Sequence, residues 1–137
     1  MPANKCTRVA AYGLIVEGER ILLCRISPEL PRLAGLWTLP GGGLDFGEAP
    51  ADGMVRELAE ETGLIVKPIC LVNVDANVLQ VDEVVMHNVR IFYRAQVIGG
   101  ELRHEVQGST DRCQWWHREE LPPLVELGQL GIRLAFG

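Results

Sequence analysis

Hydrophobic residues cluster along this chain in runs that alternate with short polar or Gly/Pro-rich breaks. Val9 to Val16 is mostly apolar and reads as a strand. Glu17-Gly18-Glu19-Arg20 reads as a turn, and Ile21 to Arg25 as a second strand, so the two form a predicted hairpin. Ser27 to Gly35, punctuated by Pro28, Pro31 and Gly35, is expected to be a loop. Leu36 to Leu39 reads as a short strand stopped by Pro40. Three glycines follow, Gly41 to Gly43, and then a polar turn over Leu44 to Glu48.

The period changes after Pro50, a residue suited to the first turn of a helix. Ala51 to Thr62 fits a helix, with Gly63 as its C-terminal stop and Gly53 as a weak point inside it. Ala51, Val55, Leu58 and Thr62 share one face of that helix, which is expected to pack on a sheet. Ile65 to Val74 and Val84 to Ile98 read as longer strands, with Gly99-Gly100 as a turn. Arg103 to Arg112 is polar and loop-like, Cys113 to Trp116 is a short strand, and a second helix is expected somewhere after Glu119. The sum is a mixed sheet with a few helices, an α/β or α+β sandwich. At 137 residues it is expected to be a single domain spanning 1–137.

Composition narrows the function. Hydrophobic residues make up 47% and charged residues 23%, as in an ordinary globular chain able to bury a core without disulfides. The formal net charge of -5 argues against a stable nucleic-acid complex, which needs basic surface. An acidic pocket still binds phosphates when a cation reverses its sign. None of Cys6, Cys24, Cys70 and Cys113 forms a C-x-x-C pair, and no Cys/His group has zinc spacing. Cys24 and Cys70 lie in apolar runs and read as buried, reduced thiols, consistent with a cytoplasmic setting. Met1 to Lys5 is polar with no apolar h-region, so no leader is expected, and no stretch approaches the roughly 18 apolar residues of a membrane span.

The chemistry concentrates in Gly42 to Leu64, GGLDFGEAPADGMVRELAEETGL. Glu57, Glu60 and Glu61 stand at i, i+3 and i+4, within an arc of roughly 100° on the helix surface. Three adjacent carboxylates repel one another, and a divalent cation is one way to offset that repulsion. The glycines ahead of the helix let backbone approach a phosphate or metal. Arg56 stands beside Glu57 and can hold a carboxylate bidentately. Glutamates on one helical face are more often a solvated surface, so the joint spacing decides the matter.

That spacing resembles the Nudix box of the Nudix (MutT-like) hydrolase superfamily, G-x5-E-x7-R-E-U-x-E-E-x-G-U. Gly42, Glu48, Arg56, Glu57, Leu58, Glu60, Glu61, Gly63 and Leu64 fill every specified position. Chance fulfilment of its single-identity positions is on the order of 10⁻⁸ per window at average residue usage. The lead-in from Leu36 to Gly43 is similar to the family's as well.

The resemblance implies an α/β/α sandwich with the box as loop-helix-loop. It implies a Mg²⁺-dependent enzyme, with Mn²⁺ as the other suitable ion, that hydrolyses the diphosphate linkage of a nucleoside diphosphate derivative by metal-activated water attack on phosphorus. Carried over residue by residue, Glu60, Glu61 and the Gly41 carbonyl are metal ligands. Glu57 is a further ligand or the general base, Arg56 orients it, and Glu48 completes the acidic shell. In some members the base lies outside the box, and Glu105 in the polar stretch 103–109 is the candidate here for an added ligand or base, set against the plainer reading of a solvated loop glutamate. Relatives of this kind are often homodimers, with Trp115 or Trp116 as an interface residue here. Because Trp115 and Trp116 are adjacent, one is expected in the core and the other exposed; Trp37 is expected in the core. His87 is a weaker substrate-facing candidate, His104 and His117 read as surface residues, and Arg25 and Asp75 are expected near a base pocket.

Marks of ADP-ribose, dinucleoside polyphosphate and NADH hydrolases are missing after the box, where Leu79 to Glu83 stands. A nucleoside triphosphate, deoxy or ribo, or a modified nucleotide is therefore the expected substrate, with ADP-ribose or nucleotide-sugar hydrolysis as the alternative. Three rival classes remain. A nucleotide sensor on the same fold would be expected to lack box carboxylates, which are all present. An isoprenoid diphosphate isomerase would need a pocket cysteine, Cys24 or Cys70. A structural protein with a surface Glu patch would not need the joint spacing.

Overall fold

In a computed structural model, which describes residues 4–28, 31–103 and 110–137, the predicted hairpin forms the middle of a larger sheet. β1 (Asn4–Glu17) and β2 (Arg20–Ile26) pair antiparallel across the Gly18-Glu19 turn. β3 (Trp37–Thr38) joins β2, and β4 (Gly41–Gly43) pairs antiparallel with β1. Helix α1 (Pro50–Thr62) follows. β5 (Leu64–Val81) and β6 (Val84–Gly100) form a long antiparallel hairpin, and β6 lies parallel to β1. β7 (Thr110–His117) pairs with β2, and α2 (Glu126–Phe136) closes the chain. The order β3-β2-β1-β6-β5, with one parallel junction, makes this a mixed α/β sheet, as expected.

The apolar run of β1 serves two cores, because successive side chains leave opposite faces of a strand. Ala11 and Ile15 pack with Leu22, Cys24 and Cys113 under Met54 and Leu58 of α1. Ala10, Tyr12 and Leu14 pack with Leu23 and Phe92 under Leu127, Leu130 and Leu134 of α2. Burial of a side chain such as Leu58 or Met54 contributes about 1.5–3 kcal/mol, enough to fix α1 on the sheet.

Several boundaries and faces differ from expectation. β5 and β6 extend beyond Val74 and Ile98, and Gly99-Gly100 belongs to β6 because Leu64 and Ile65 continue the ladder opposite them. Thr110 to Arg112 belongs to β7 rather than to a loop, since β2 offers partners as far as Ile26. Cys70 is exposed, not buried, because β5 is an edge strand. Cys24 is buried as expected. Trp37 is in the core, but Trp115 and Trp116 are both half-buried, packed against opposite cores. Trp116 meets Trp37 edge-to-face, with ring centroids 5.0 Å apart. Among the described residues no helix is long and apolar enough to cross a membrane.

Helix α1 starts at Pro50 and ends at Gly63, whose φ of 79° is the left-handed cap that glycine adopts at low cost. The buried residues of α1 are Gly53, Met54, Leu58, Glu61 and Thr62. The core-facing stripe is therefore rotated towards the glutamates, by roughly 60° at 100° per residue, relative to the Ala51/Val55/Leu58/Thr62 face. Ala51 and Val55 are only half-buried. Gly53, a weak helix former, sits on that stripe for a packing reason: a Cβ there would overlap the Leu44 side chain and approach Glu48 Oε1 to 2.9 Å. Gly53→Ala is accordingly expected to lower stability by about 1–3 kcal/mol, despite a propensity gain of about 1 kcal/mol. Thermal unfolding checks this, and an unchanged or raised Tm would contradict the packing argument.

Candidate active site

The site forms where the glycine strand β4 meets α1. At Gly41 the backbone takes φ 142°, and a Cβ would overlap the Ala11 carbonyl and the Tyr12 side chain, so only glycine brings β4 this close to β1. At Gly42 a Cβ would lie 2.8 Å from the Glu57 carboxyl. The bare backbone thus leaves room for that carboxylate, and β4 forms one wall of a cavity of about 470 Å³. Gly41 to Gly43, Glu57, Glu61, Thr110 and Arg8 are among its lining residues.

The box glutamates occupy three different environments. Glu61 is 4% exposed, its Oε1 accepting the Gly41 N–H at 2.7 Å and its Oε2 the Thr110 hydroxyl at 3.3 Å. A buried carboxylate needs such donors to offset lost hydration. Glu57 is partly buried in the cavity wall, and burial pushes its carboxyl pKa up, against the pull of the Arg56 guanidinium. Glu60 does not line the cavity: its side chain is 54% exposed and leans on Arg56 Nη1 at 3.2 Å. The expected arc of three cooperating carboxylates is therefore split, with Glu57 and Glu61 inside and Glu60 at the rim.

Arg56 is the hub of the acidic shell. Nε and Nη2 grip Glu48 bidentately at 2.8 and 2.9 Å, and Nη1 reaches Glu57 at 3.0 Å. Nη2 also donates to the Gly43 carbonyl at 3.1 Å, and Asp45 lies 3.3 Å from Nε. The bidentate partner is thus Glu48, eight residues earlier, rather than the adjacent Glu57. This grip, with the Asp45 N–H donating to Glu48 Oε1 at 2.9 Å, holds the Glu48 carboxyl at a pKa of about 2. Glu48 therefore stays ionised and ties the loop before α1 to the helix.

A second cavity of about 400 Å³ adjoins the first and shares Tyr12, Thr38 and Leu127 with it. Asn77 and Asn88 face it, hydrogen-bonded to each other at 3.1 Å, beside Leu79 and Arg90. Asp75 reaches this region only through Arg90, which it binds bidentately at 2.8 and 2.7 Å. Arg25 does not reach it, being paired with Asp111 at 2.9 Å. His87 is exposed on the far stretch of β6, beside Lys5 and Val78 and away from both cavities. His117 is exposed, as expected. Glu105 and His104 lie outside the described residues. Cys24 and Cys70 line neither cavity, which removes both from the role of a pocket acid.

Arg8 and Thr110 were not singled out from sequence. Thr110 carries no local signal, because its link to Glu61 depends on the pairing of β7 with β2. Arg8 is the lone charged residue between Lys5 and Glu17 of β1, the one feature of the sequence that draws attention to it.

Among the described residues no three carboxylate, imidazole or thiol side chains converge as a preformed metal site. The donors facing the cavity are nevertheless hard oxygens, the chemistry that Mg²⁺ or Mn²⁺ takes. The raised pKa of Glu57 marks a desolvated carboxylate whose ionised form a cation would favour. The residues present therefore fit a divalent ion.

Residues 6–133 match the family model for the NUDIX domain. The chain is 30% identical over 136 residues to a Mus musculus protein named 8-oxo-dGDP phosphatase NUDT18, covering 91% of this chain and 39% of that one. It is 37% identical over 117 residues to an ADP-ribose pyrophosphatase of Methanocaldococcus jannaschii, covering 85% of this chain and 66% of that protein. The chain thus spans between about two fifths and two thirds of the length of these relatives. The structure superposes on a MutT NUDIX hydrolase from Burkholderia pseudomallei with a TM-score of 0.79 at 29% identity, covering 94% of this chain and 98% of that one.

Proposed function

This chain belongs to the NUDIX family, and from that premise we propose that it hydrolyses the diphosphate linkage of a nucleoside diphosphate derivative, a nucleoside triphosphate or modified nucleotide before ADP-ribose. The observation that carries the reading is the pairing of Glu57 and Glu61 with the bare Gly41–Gly43 backbone in one cavity. Such a cavity admits a phosphate only alongside a cation, and the adjoining Asn77/Asn88 cavity supplies amide donors and acceptors for a base.

Glu61, Glu57 and the Gly41 carbonyl are the groups proposed to hold Mg²⁺, with Mn²⁺ as substitute and Glu60 joining from the rim. The ion would neutralise phosphate charge and acidify a water molecule. Glu57 serves either as such a ligand or, where it does not touch the ion, as the general base: burial raises its proton affinity, and Arg56 fixes its position. Glu48 acts through Arg56 to hold the loop in register. The nucleophile is water, attacking phosphorus in line with the departing phosphate.

Relatives named for 8-oxo-dGDP and for ADP-ribose support diphosphate chemistry and leave two substrate classes to compare. Stripping divalent ions with chelator is expected to abolish turnover, and adding Mg²⁺ or Mn²⁺ to restore it. Hydrolysis in ¹⁸O-water is expected to place one ¹⁸O atom on a phosphate-bearing product. Full activity in excess chelator would sink the metal-assisted reading, and unlabelled phosphates would sink water attack on phosphorus.

A further inference from the structure

The cavity floor is acidic, so a diphosphate seated there needs cationic donors from the protein as well as from an ion. Arg56 cannot supply them, because its five N–H groups are taken by Glu48, Glu57, Glu60 and the Gly43 carbonyl. Arg90, in the adjoining cavity, is engaged by Asp75 and by Glu126 at 2.6 Å.

Arg8 differs from both. It is exposed, it lines the cavity with Glu57, and a Cβ on Gly43 would lie 3.5 Å from its Nε. Its one hydrogen bond among the described residues is a long one, Nη1 donating to the Tyr12 hydroxyl at 3.4 Å. Tyr12 lines both cavities, so this contact parks the guanidinium where the two meet. We propose that Arg8 is a substrate-binding residue whose guanidinium donates to non-bridging oxygens of the diphosphate at the junction of the two cavities. A planar fork with open donors suits a phosphate better than a point charge does. The absence of a side chain at Gly43 keeps that fork accessible. The assignment rests on the diphosphate-hydrolase reading above.

The test compares wild type, Arg8→Gln, Arg8→Lys and Tyr12→Phe by calorimetric titration with inorganic pyrophosphate in Mg²⁺, and by KM and kcat on the best nucleotide substrate. Arg8→Gln is expected to weaken pyrophosphate binding and raise KM by about 10- to 100-fold, the usual effect of losing a charged hydrogen-bond pair. Arg8→Lys is expected to recover part of the loss, and Tyr12→Phe, which frees the guanidinium from its one contact but keeps it, to weaken binding less than Arg8→Gln does. Equal pyrophosphate affinity and KM in wild type and Arg8→Gln would overturn the assignment while leaving the hydrolase reading intact. A loss in Arg8→Gln that comes with a lowered Tm and no recovery in Arg8→Lys would also overturn it, by marking a structural role. A folded wild type that hydrolyses no nucleotide would overturn both.

Discussion

Glu61→Gln is expected to lower kcat/KM by on the order of 10²–10³-fold while leaving the protein folded. The amide is nearly isosteric, so its oxygen still accepts the Gly41 N–H that Glu61 Oε1 takes at 2.7 Å. Its nitrogen, however, cannot hold a hard cation and places a second donor against the Thr110 hydroxyl, whose oxygen must then turn its lone pair inward. A hydroxyl rotor turns at little cost, so the fold is expected to survive while the charge is lost. Steady-state kinetics with a circular-dichroism melt checks both halves. A variant with near-wild-type kcat/KM would remove Glu61 from the site.

Arg56→Gln is expected to act on stability and activity together. Without the guanidinium, Glu48, Glu57, Glu60 and Asp45 face one another with no shared countercharge. Leaving the partly buried Glu57 without its partner costs about 2 kcal/mol, or roughly 8 °C in Tm for a chain of this size. Loss of positioning costs activity a further 10- to 100-fold, the usual range for groups that orient a ligand or base.

The pH dependence of stability carries a separate signature. The folded Glu48 value of about 2 lies below the ordinary carboxyl value of about 4.3. Its pairing with Arg56 therefore stabilises the fold above that ordinary value, and the stabilisation is lost as pH falls towards 2. In Arg56→Gln that component of the acid transition should be missing. Chemical denaturation at pH 7 and pH 3 measures it, and identical pH dependence in variant and wild type would show that Arg56 does not hold Glu48 ionised.

What sequence revealed follows from how local each feature is. The strands from Val9, Ile21 and Val84 and the helix after Pro50 are written in periodicity and punctuation and form there, but β1 reaches back to Asn4 because β6 offers it partners from Val84 onward. The box residues are legible because the candidate site is built from their spacing along one loop and helix. The burial of Glu61 is not legible in apolar periodicity, which alone defines the Ala51/Val55/Leu58/Thr62 face, because a glutamate is buried when a backbone N–H and a hydroxyl donate to it. Glu60 turned outward because Arg56 at i-4 captured it, a competition that spacing does not resolve. Cys70 looked like core because its neighbours are apolar, but its strand has a partner on one side only. Arg8 and Thr110 reach the cavity through β1 and β7, whose pairings span distant parts of the chain.

The most direct measurement of the central claim is product analysis by chromatography. Wild type and Glu61→Gln would be incubated in Mg²⁺ with normal and oxidised nucleoside triphosphates and diphosphates, ADP-ribose, NADH and nucleotide sugars. The account predicts that wild type cleaves the diphosphate linkage of at least one of them, releasing a nucleoside monophosphate with phosphate, pyrophosphate or a phosphorylated fragment, and that Glu61→Gln loses most of that rate. A folded wild type that binds a nucleotide yet cleaves none, in Mg²⁺ or in Mn²⁺, would contradict it and leave a nucleotide-binding module in place of an enzyme.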